Sequence, residues 1–351
     1  MKKKRLFRHI AAILALSMIS ITLVGCKNND APAAGSAGTS QNGSDEQVYT
    51  LSCAYELADD HVWAVQFQAM KEELAKESNG RLNLELYGNG TLGAESQLIT
   101  QLMSGSLDMM PTSVNNISAS YPPCLVLAAP YGIKNLDDAR KVYESDWGKQ
   151  KLKDIEDNTK FHGLSILYGG TRHCFTREKG IQSMEDMKGL KMRVPEWQMY
   201  LTMFSEWGAS PTPMDFSEVY LSLQQGVVDG MEQPVDFFMA ANLQEVTKNI
   251  IMTYHQAEVS MLWMNADKYN SLPKDLQEIL DKTVDKYCMI ASNNVLENES
   301  KQIDALVNEY GFTKYEPDLE PFQQAALKAI RQYDDEWGPE AYNEMLEVLE
   351  S

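Results

Sequence analysis

Residues 274–310 contain neither glycine nor proline, a run of 37 that starts just after the helix-initiating pair Ser271 and Pro273. As one continuous helix it would extend roughly 55 Å at about 1.5 Å per residue, longer than an ordinary domain is wide. Such a segment must either break or cross between two lobes, which restricts the fold more than any other stretch. Upstream, residues 49–55 read as a short apolar strand. Trp63, Phe67, Met70 and Leu74 then recur at helical intervals, with Asp59 and Asp60 before them and Gly80 beyond, and Leu82, Leu84 and Leu86 alternate as in a strand. Helices alternating with short strands give an α/β fold.

A weak internal echo points to two similar lobes. Leu102, Gly105, Leu107 and Asp108 are spaced like Leu223, Gly226, Val228 and Asp229, 121 residues later. In each case a helix is expected to stop at a left-handed glycine and turn directly into a strand, a join also common in other α/β chains. Ser217 is placed to cap the second of these helices, with Phe216 stapled against Leu221. A last helical region, residues 318–349, is interrupted near Gly338 and Pro339.

The start of the chain is an export signal. Lys2, Lys3, Lys4, Arg5 and Arg8 precede a fifteen-residue apolar stretch, residues 10–24, too short for a comfortable membrane-spanning helix. It ends Leu23-Val24-Gly25-Cys26, which resembles a bacterial lipobox: residues 1–25 are removed and the Cys26 thiol takes up membrane lipid. Residues 27–46 carry no large apolar side chain, so 26–47 reads as a lipidated cysteine on a flexible linker. The chain has 31 basic and 50 acidic residues, and loss of the five leader cations takes its formal charge from −19 to −24. Such a surface repels phosphates and argues against a nucleic-acid partner. At 44% hydrophobic the body can build a sizeable core. Its four cysteines, Cys53, Cys124, Cys174 and Cys288, show no Cys-x-x-Cys pair and read as isolated buried thiols.

Catalytic motifs are thin. Gly88 to Gly93 satisfies G-x-G-x-x-G, but an exported chain has no supply of nicotinamide cofactor and no acidic residue ends a second strand at the required distance. It reads as a glycine turn feeding a helix around residues 97–103. None of the five histidines falls in HExxH, only the adjacent His173-Cys174 offers a second metal ligand, and there is no G-x-S-x-G elbow. No cofactor, metal or catalysis is expected. A carboxylate pair of a secreted carbohydrate-active enzyme stays open only because acids are so numerous.

The scarce cations say more. Alternation puts Met192 and Val194 on one strand face and Arg193 on the other, and Arg172 follows Gly169-Gly170-Thr171 after a strand-like run. A guanidinium grips a carboxylate with two parallel bonds where a lysine offers a point charge. On spacing alone the simpler reading of each arginine is an ion pair with one of the abundant acids. Trp197 is suited to stack on a sugar ring, Phe216 to line a cleft if it is not a staple, and Asn115 with Asn116 to bond hydroxyls or make a turn; Trp63 and Phe67 read as core.

The run Met187-Lys188-Gly189-Leu190-Lys191-Met192-Arg193-Val194-Pro195, then Gly208-Ala209-Ser210-Pro211-Thr212-Pro213-Met214, Phe216-Ser217-Glu218-Val219-Tyr220 and Val228-Asp229-Gly230-Met231-Glu232-Gln233-Pro234, resembles the signature of TRAP transporter solute receptors, the DctP-type extracytoplasmic solute-binding proteins. Asn89 to Gly93, Gly105 to Asp108 and Leu272-Pro273 fit the same family. The resemblance implies a two-lobed α/β fold like that of periplasmic binding proteins, type II-like, with a ligand cleft and a long helix spanning both lobes. It divides the body into 48–169 plus 258–290 and 170–257 plus 291–351. It implies that Arg193 binds a substrate carboxylate, that Arg172 is a second ligand contact, and that a membrane permease driven by an ion gradient is the partner. Gln233 stands where the family commonly has Asn, one methylene longer. The ligand expected is a small organic monocarboxylate such as a hexuronate or aldonate; an ATP-driven receptor for neutral sugars is the alternative.

Overall fold

The glycine-terminated joins of the sequence echo are equivalent corners of two similar halves. The computed structural model describes residues 47–351; the expected leader, Cys26 and the linker through residue 46 lie outside them. Helix Glu95–Ser104 ends at Gly105 (φ 75°) and helix Val219–Gln225 at Gly226 (φ 73°), each in the left-handed region. The aspartate that follows does the same work in both. Asp108 accepts the Ser52 amide at 2.8 Å and Asp229 accepts the Lys191 amide at 2.9 Å, tying each new strand to its parallel neighbour.

The strands are β1 (Tyr49–Ala54), β2 (Leu82–Tyr87), β3 (Met109–Ser113), β4 (Phe161–Thr176), β5 (Lys191–Val194), β6 (Ser210–Pro213), β7 (Gly230–Pro234), β8 (Asn249–Asn265) and β9 (Thr313–Tyr315). They form one sheet in the order β2-β1-β3-β8-β4-β7-β5-β6, with β9 on β8. Two long antiparallel strands, β4 and β8, hold its centre. On one side lies the parallel set β2-β1-β3, on the other the parallel set β6-β5-β7. The sheet is thus two like halves sharing a central pair, the two-lobed α/β architecture that the sequence leads one to expect.

Each half has its own core. Leu51, Phe67, Leu102 and Trp263 pack in the first. Met192, Phe204, Trp207 and Phe322 form one cluster of the second half, and Phe175, Leu223, Phe238 and Phe312 form another. Helix Lys274–Asn308 runs 35 residues without a break. Its Leu276, Leu280 and Val284 enter the first core and its Leu306 the second half, so the long segment crosses between lobes. Ser292 accepts the Tyr168 amide at 3.0 Å and Glu299 the Thr171 amide at 2.6 Å. These bonds fasten β4 where its pairing with β8 is irregular, at Gly170 with φ 97°.

Two expectations need correction. Residues 291–351 do not all belong with the second half. Phe322, Ala326 and Ala329 do, but Ile330, Tyr333, Trp337, Tyr342 and Met345 pack in the first core, because helices Glu320–Ile330 and Ala341–Glu350 present apolar stripes to different cores. Nor is Phe216 a staple: Phe216–Glu218 is a tight 3-10 turn before the helix, and Leu221 is 55% exposed. Cys53, Cys124, Cys174 and Cys288 are unpaired and buried. No helix among the described residues is long and apolar enough to cross a membrane.

The motif glycine Gly230 has a packing reason. A Cβ there would sit 2.5 Å from the Phe175 carbonyl oxygen and 2.9 Å from Met192 Sδ. Gly230→Ala should therefore destabilise the fold by about 1–3 kcal/mol in urea unfolding, the range for overpacking a filled core.

Candidate functional site

In an open α/β sheet, ligands bind outside the carboxyl ends of the parallel strands. Both parallel sets here end at one cavity of about 750 Å³. Glu56 follows β1, Asn115 and Asn116 follow β3, Trp197 follows β5, and Met214, Asp215 and Phe216 follow β6; all line it, with Arg193 from β5, Gln233 from β7 and Arg172 from β4. The structure brings together every binding residue expected from the sequence.

The two arginines have opposite surroundings. Arg172 is 3% exposed and its fork is engaged: Nε donates to Glu232 Oε2 at 2.6 Å, Nη2 to Glu232 Oε1 and to Gln233 Oε1, both at 2.7 Å, and Nη1 to Glu258. Its guanidinium carbon stands 4.9 Å from the centre of the Trp197 ring. Burial disfavours the cation, yet Glu232, Tyr200 and Glu258 outweigh that and raise its pKa. Burial likewise disfavours the Glu232 anion, but Arg172 and His255 hold the carboxyl down to about 2. His255, depressed by its own burial, is the neutral member: Nε2 donates to Glu232 at 3.0 Å and Nδ1 accepts from Thr253 at 2.9 Å.

Arg193 is equally buried, at 3% exposure, and forms no ion pair among the described residues. Nε and Nη2 donate to the Met214 carbonyl at 3.2 and 2.8 Å, and the Phe216 ring lies 5.8 Å away. Burial pulls its pKa down to about 10, so it stays charged at neutral pH. Met192 and Val194 pack in the core beneath, which leaves Arg193 facing the cavity as strand alternation requires.

The first half completes the lining, and two of its residues, Glu56 and Glu95, were missed by sequence reasoning. Glu95 opens helix Glu95–Ser104 and accepts the Thr112 hydroxyl at 2.6 Å; burial, with the charges of Glu56 and Glu258, pushes it up to about 7. Glu56 accepts the Glu95 amide at 3.0 Å. Asn116 accepts from Trp197 Nε1 at 2.6 Å, a bond between the two halves, and a second such link joins His61 to Asp236 at 3.0 Å. The signal that would have found Glu56 was position, two residues beyond the end of β1. Trp63 is core as expected but also lines the cavity, while Phe67 is core alone. Gly88 to Gly93 is a turn leading into helix Glu95–Ser104. Among the described residues no three His, Cys, Asp or Glu are grouped to hold a metal ion.

The cavity thus sets a buried Arg193, without an ion-pair partner among the described residues, beside an Arg172 already paired with Glu232 and Glu258. Residues 53–336 match bacterial extracellular solute-binding proteins of family 7. The chain belongs to that family. It is 32% identical over 280 residues, 79% of this chain and 87% of that protein, to the sialic acid-binding periplasmic protein SiaP of Vibrio cholerae. Its fold aligns at a TM-score of 0.79 with a TRAP periplasmic solute-binding protein from Roseobacter denitrificans with bound L-galactonate, 29% identical and covering 87% of this chain and 99% of that one. A second, from Ochrobacterium anthropi with bound L-fuconate, aligns at 0.80 with 27% identity over 86% of this chain and 99% of that one.

In this solute-binding protein the Arg172 network is a buried salt-bridge cluster, in which loss of one partner strands a charge. Glu232→Ala should cost about 3–5 kcal/mol in unfolding free energy. Because the folded Glu232 carboxyl is held down to about 2, against an ordinary 4.5, its stabilisation is complete above about 4.5 and fades as pH falls toward 2. Urea unfolding across pH should show the gap between wild type and variant shrinking over that interval.

Proposed function

We propose that this protein is the extracytoplasmic receptor of a TRAP transporter, capturing a sugar monocarboxylate between its halves and passing it to the membrane permease. The observation that carries the reading is Arg193, buried at the cavity without a carboxylate of its own. A guanidinium in that position supplies two parallel donors to an incoming carboxylate, which replaces the water it lost on folding. The relatives with bound L-galactonate and L-fuconate support a sugar acid as ligand. Phe216 beside Arg193, Trp197 and the amides Gln233 and Asn115 form the rest of the lining toward the ligand. Arg172 contributes by holding Gln233 and Trp197 in place, its own charge being answered by Glu232 and Glu258.

Ligand capture is coupled to hinge closure, since a carboxylate on Arg193 and hydroxyls on the opposite half are satisfied together only when the halves meet. The bonds Trp197–Asn116 and His61–Asp236 are contacts that closure completes. The acidic body repels anions at long range, but with a screening length of about 8–10 Å the local cation governs binding. The Cys26 lipid anchors the receptor to the membrane and the linker gives it reach.

Calorimetric titration with galactonate or fuconate should give one site per chain. Arg193→Ala should lose about 2–5 kcal/mol of binding, and Arg193→Lys should stay well below wild type because the second parallel bond is gone. Equal affinity of Arg193→Lys and wild type would sink the two-bond grip. Mass analysis of the mature protein from membranes should find a diacylglycerol adduct at Cys26, absent in Cys26→Ser, which should leave the membrane fraction.

A further inference from the structure

The cavity is polarised, and this bears on which acids it admits. On the second half's side is Arg193, which has no carboxylate at ion-pair distance among the described residues, Glu232, Asp215 and Glu56 acting on it from farther off. The other wall offers acceptors. Glu56 spends Oε1 on the Glu95 amide, and Glu95 spends Oε1 on the Thr112 hydroxyl and is also approached by the Asn116 side chain. Asn115, 2% exposed, has its amide nitrogen on Ser113 Oγ at 3.1 Å and its Oδ1 without any partner, although it lines the same cavity. A buried carbonyl oxygen left unpaired is costly and awaits a donor. The neighbouring polar groups are already committed: Asn116 bonds Thr112 and Trp197, and Glu258 bonds Arg172 and Ser260.

Building on the carboxylate reading of Arg193, we propose that Glu56 and Glu95, with Asn115 Oδ1, are specificity determinants that require hydroxyl donors on the part of the ligand remote from its carboxylate and exclude a second carboxylate. A polyhydroxylated tail donates to all three oxygens. A terminal carboxylate there brings a like charge against Glu56 and Glu95 in a dry site and leaves Asn115 Oδ1 unpaired, and repulsion of that kind is how binding sites reject near-identical partners. An unsubstituted alkyl tail escapes the repulsion but strands all three acceptors.

The test uses matched six-carbon acids on the whole body of the protein at pH 8: galactonate, the diacid galactarate and hexanoate. Thermal-shift screening of aldonates, uronates and their diacids comes first, then calorimetry. Wild type should bind the monoacid about a hundredfold or more tighter than either the diacid or hexanoate. Glu95→Gln and Glu56→Gln, each nearly isosteric, should each narrow the gap to the diacid by about tenfold or more by improving diacid binding. A diacid bound as tightly as the monoacid by wild type, or a ratio unmoved in both variants, overturns the assignment. Preference for diacids with loss of binding in Arg193→Ala overturns this inference alone and leaves the carboxylate receptor standing. Failure of every acid in the screen overturns both.

Discussion

A guanidinium held out of water without a counter-carboxylate is the constraint on which this molecule turns. Desolvating a cation is unfavourable, and proteins usually resolve it by pairing. The cleft shows both outcomes side by side. Arg172 is enclosed by Glu232, Glu258 and Gln233 and acts as a rigid post for Trp197. Arg193 touches the Met214 carbonyl and a phenyl ring, and no carboxylate among the described residues reaches ion-pair distance of it.

Keeping that cation dry yet reachable is a task for the fold. A cavity at the boundary of two halves can be opened by moving one against the other, whereas a pocket inside one core cannot. The sheet meets this need by routing both halves through β4 and β8, which cross the boundary, and by laying the long helix across it. Ser292 and Glu299 pin β4 at the crossing, where Gly170 takes a backbone geometry that other residues avoid. The two halves stay connected by few, defined strands, the arrangement expected of a hinge.

Much of the architecture could be read from residues because it rests on local rules. Helix stops at Gly105 and Gly226, the strand alternation around Arg193 and the unbroken long helix all follow from backbone preference and periodicity, which act over a few residues. The expected staple of Phe216 on Leu221 failed although its spacing was correct: a 3-10 turn rotates the helix start, freeing Phe216 to face Arg193. The tail after Ile330 was misplaced because an amphipathic stripe shows that a helix packs, not which core receives it. Glu56 and Glu95 were invisible among fifty acids; only the fold places them in one cavity with Arg193.

The chain by itself determined its α/β class, the crossing helix, the equivalent corners of the two halves and, through the motif around Arg193, the kind of molecule it resembles. Only the tertiary structure decided which of the two arginines is neutralised within the protein and which has no ion-pair partner among the described residues. Pairing depends on distances between Arg172, Glu232 and Glu258, residues 60 and 86 positions apart from the arginine, and such distances are fixed by how β4, β7 and β8 lie in the sheet. Electrostatic interaction in a dry interior falls steeply with separation and with access of water, and neither is written in the order of residues.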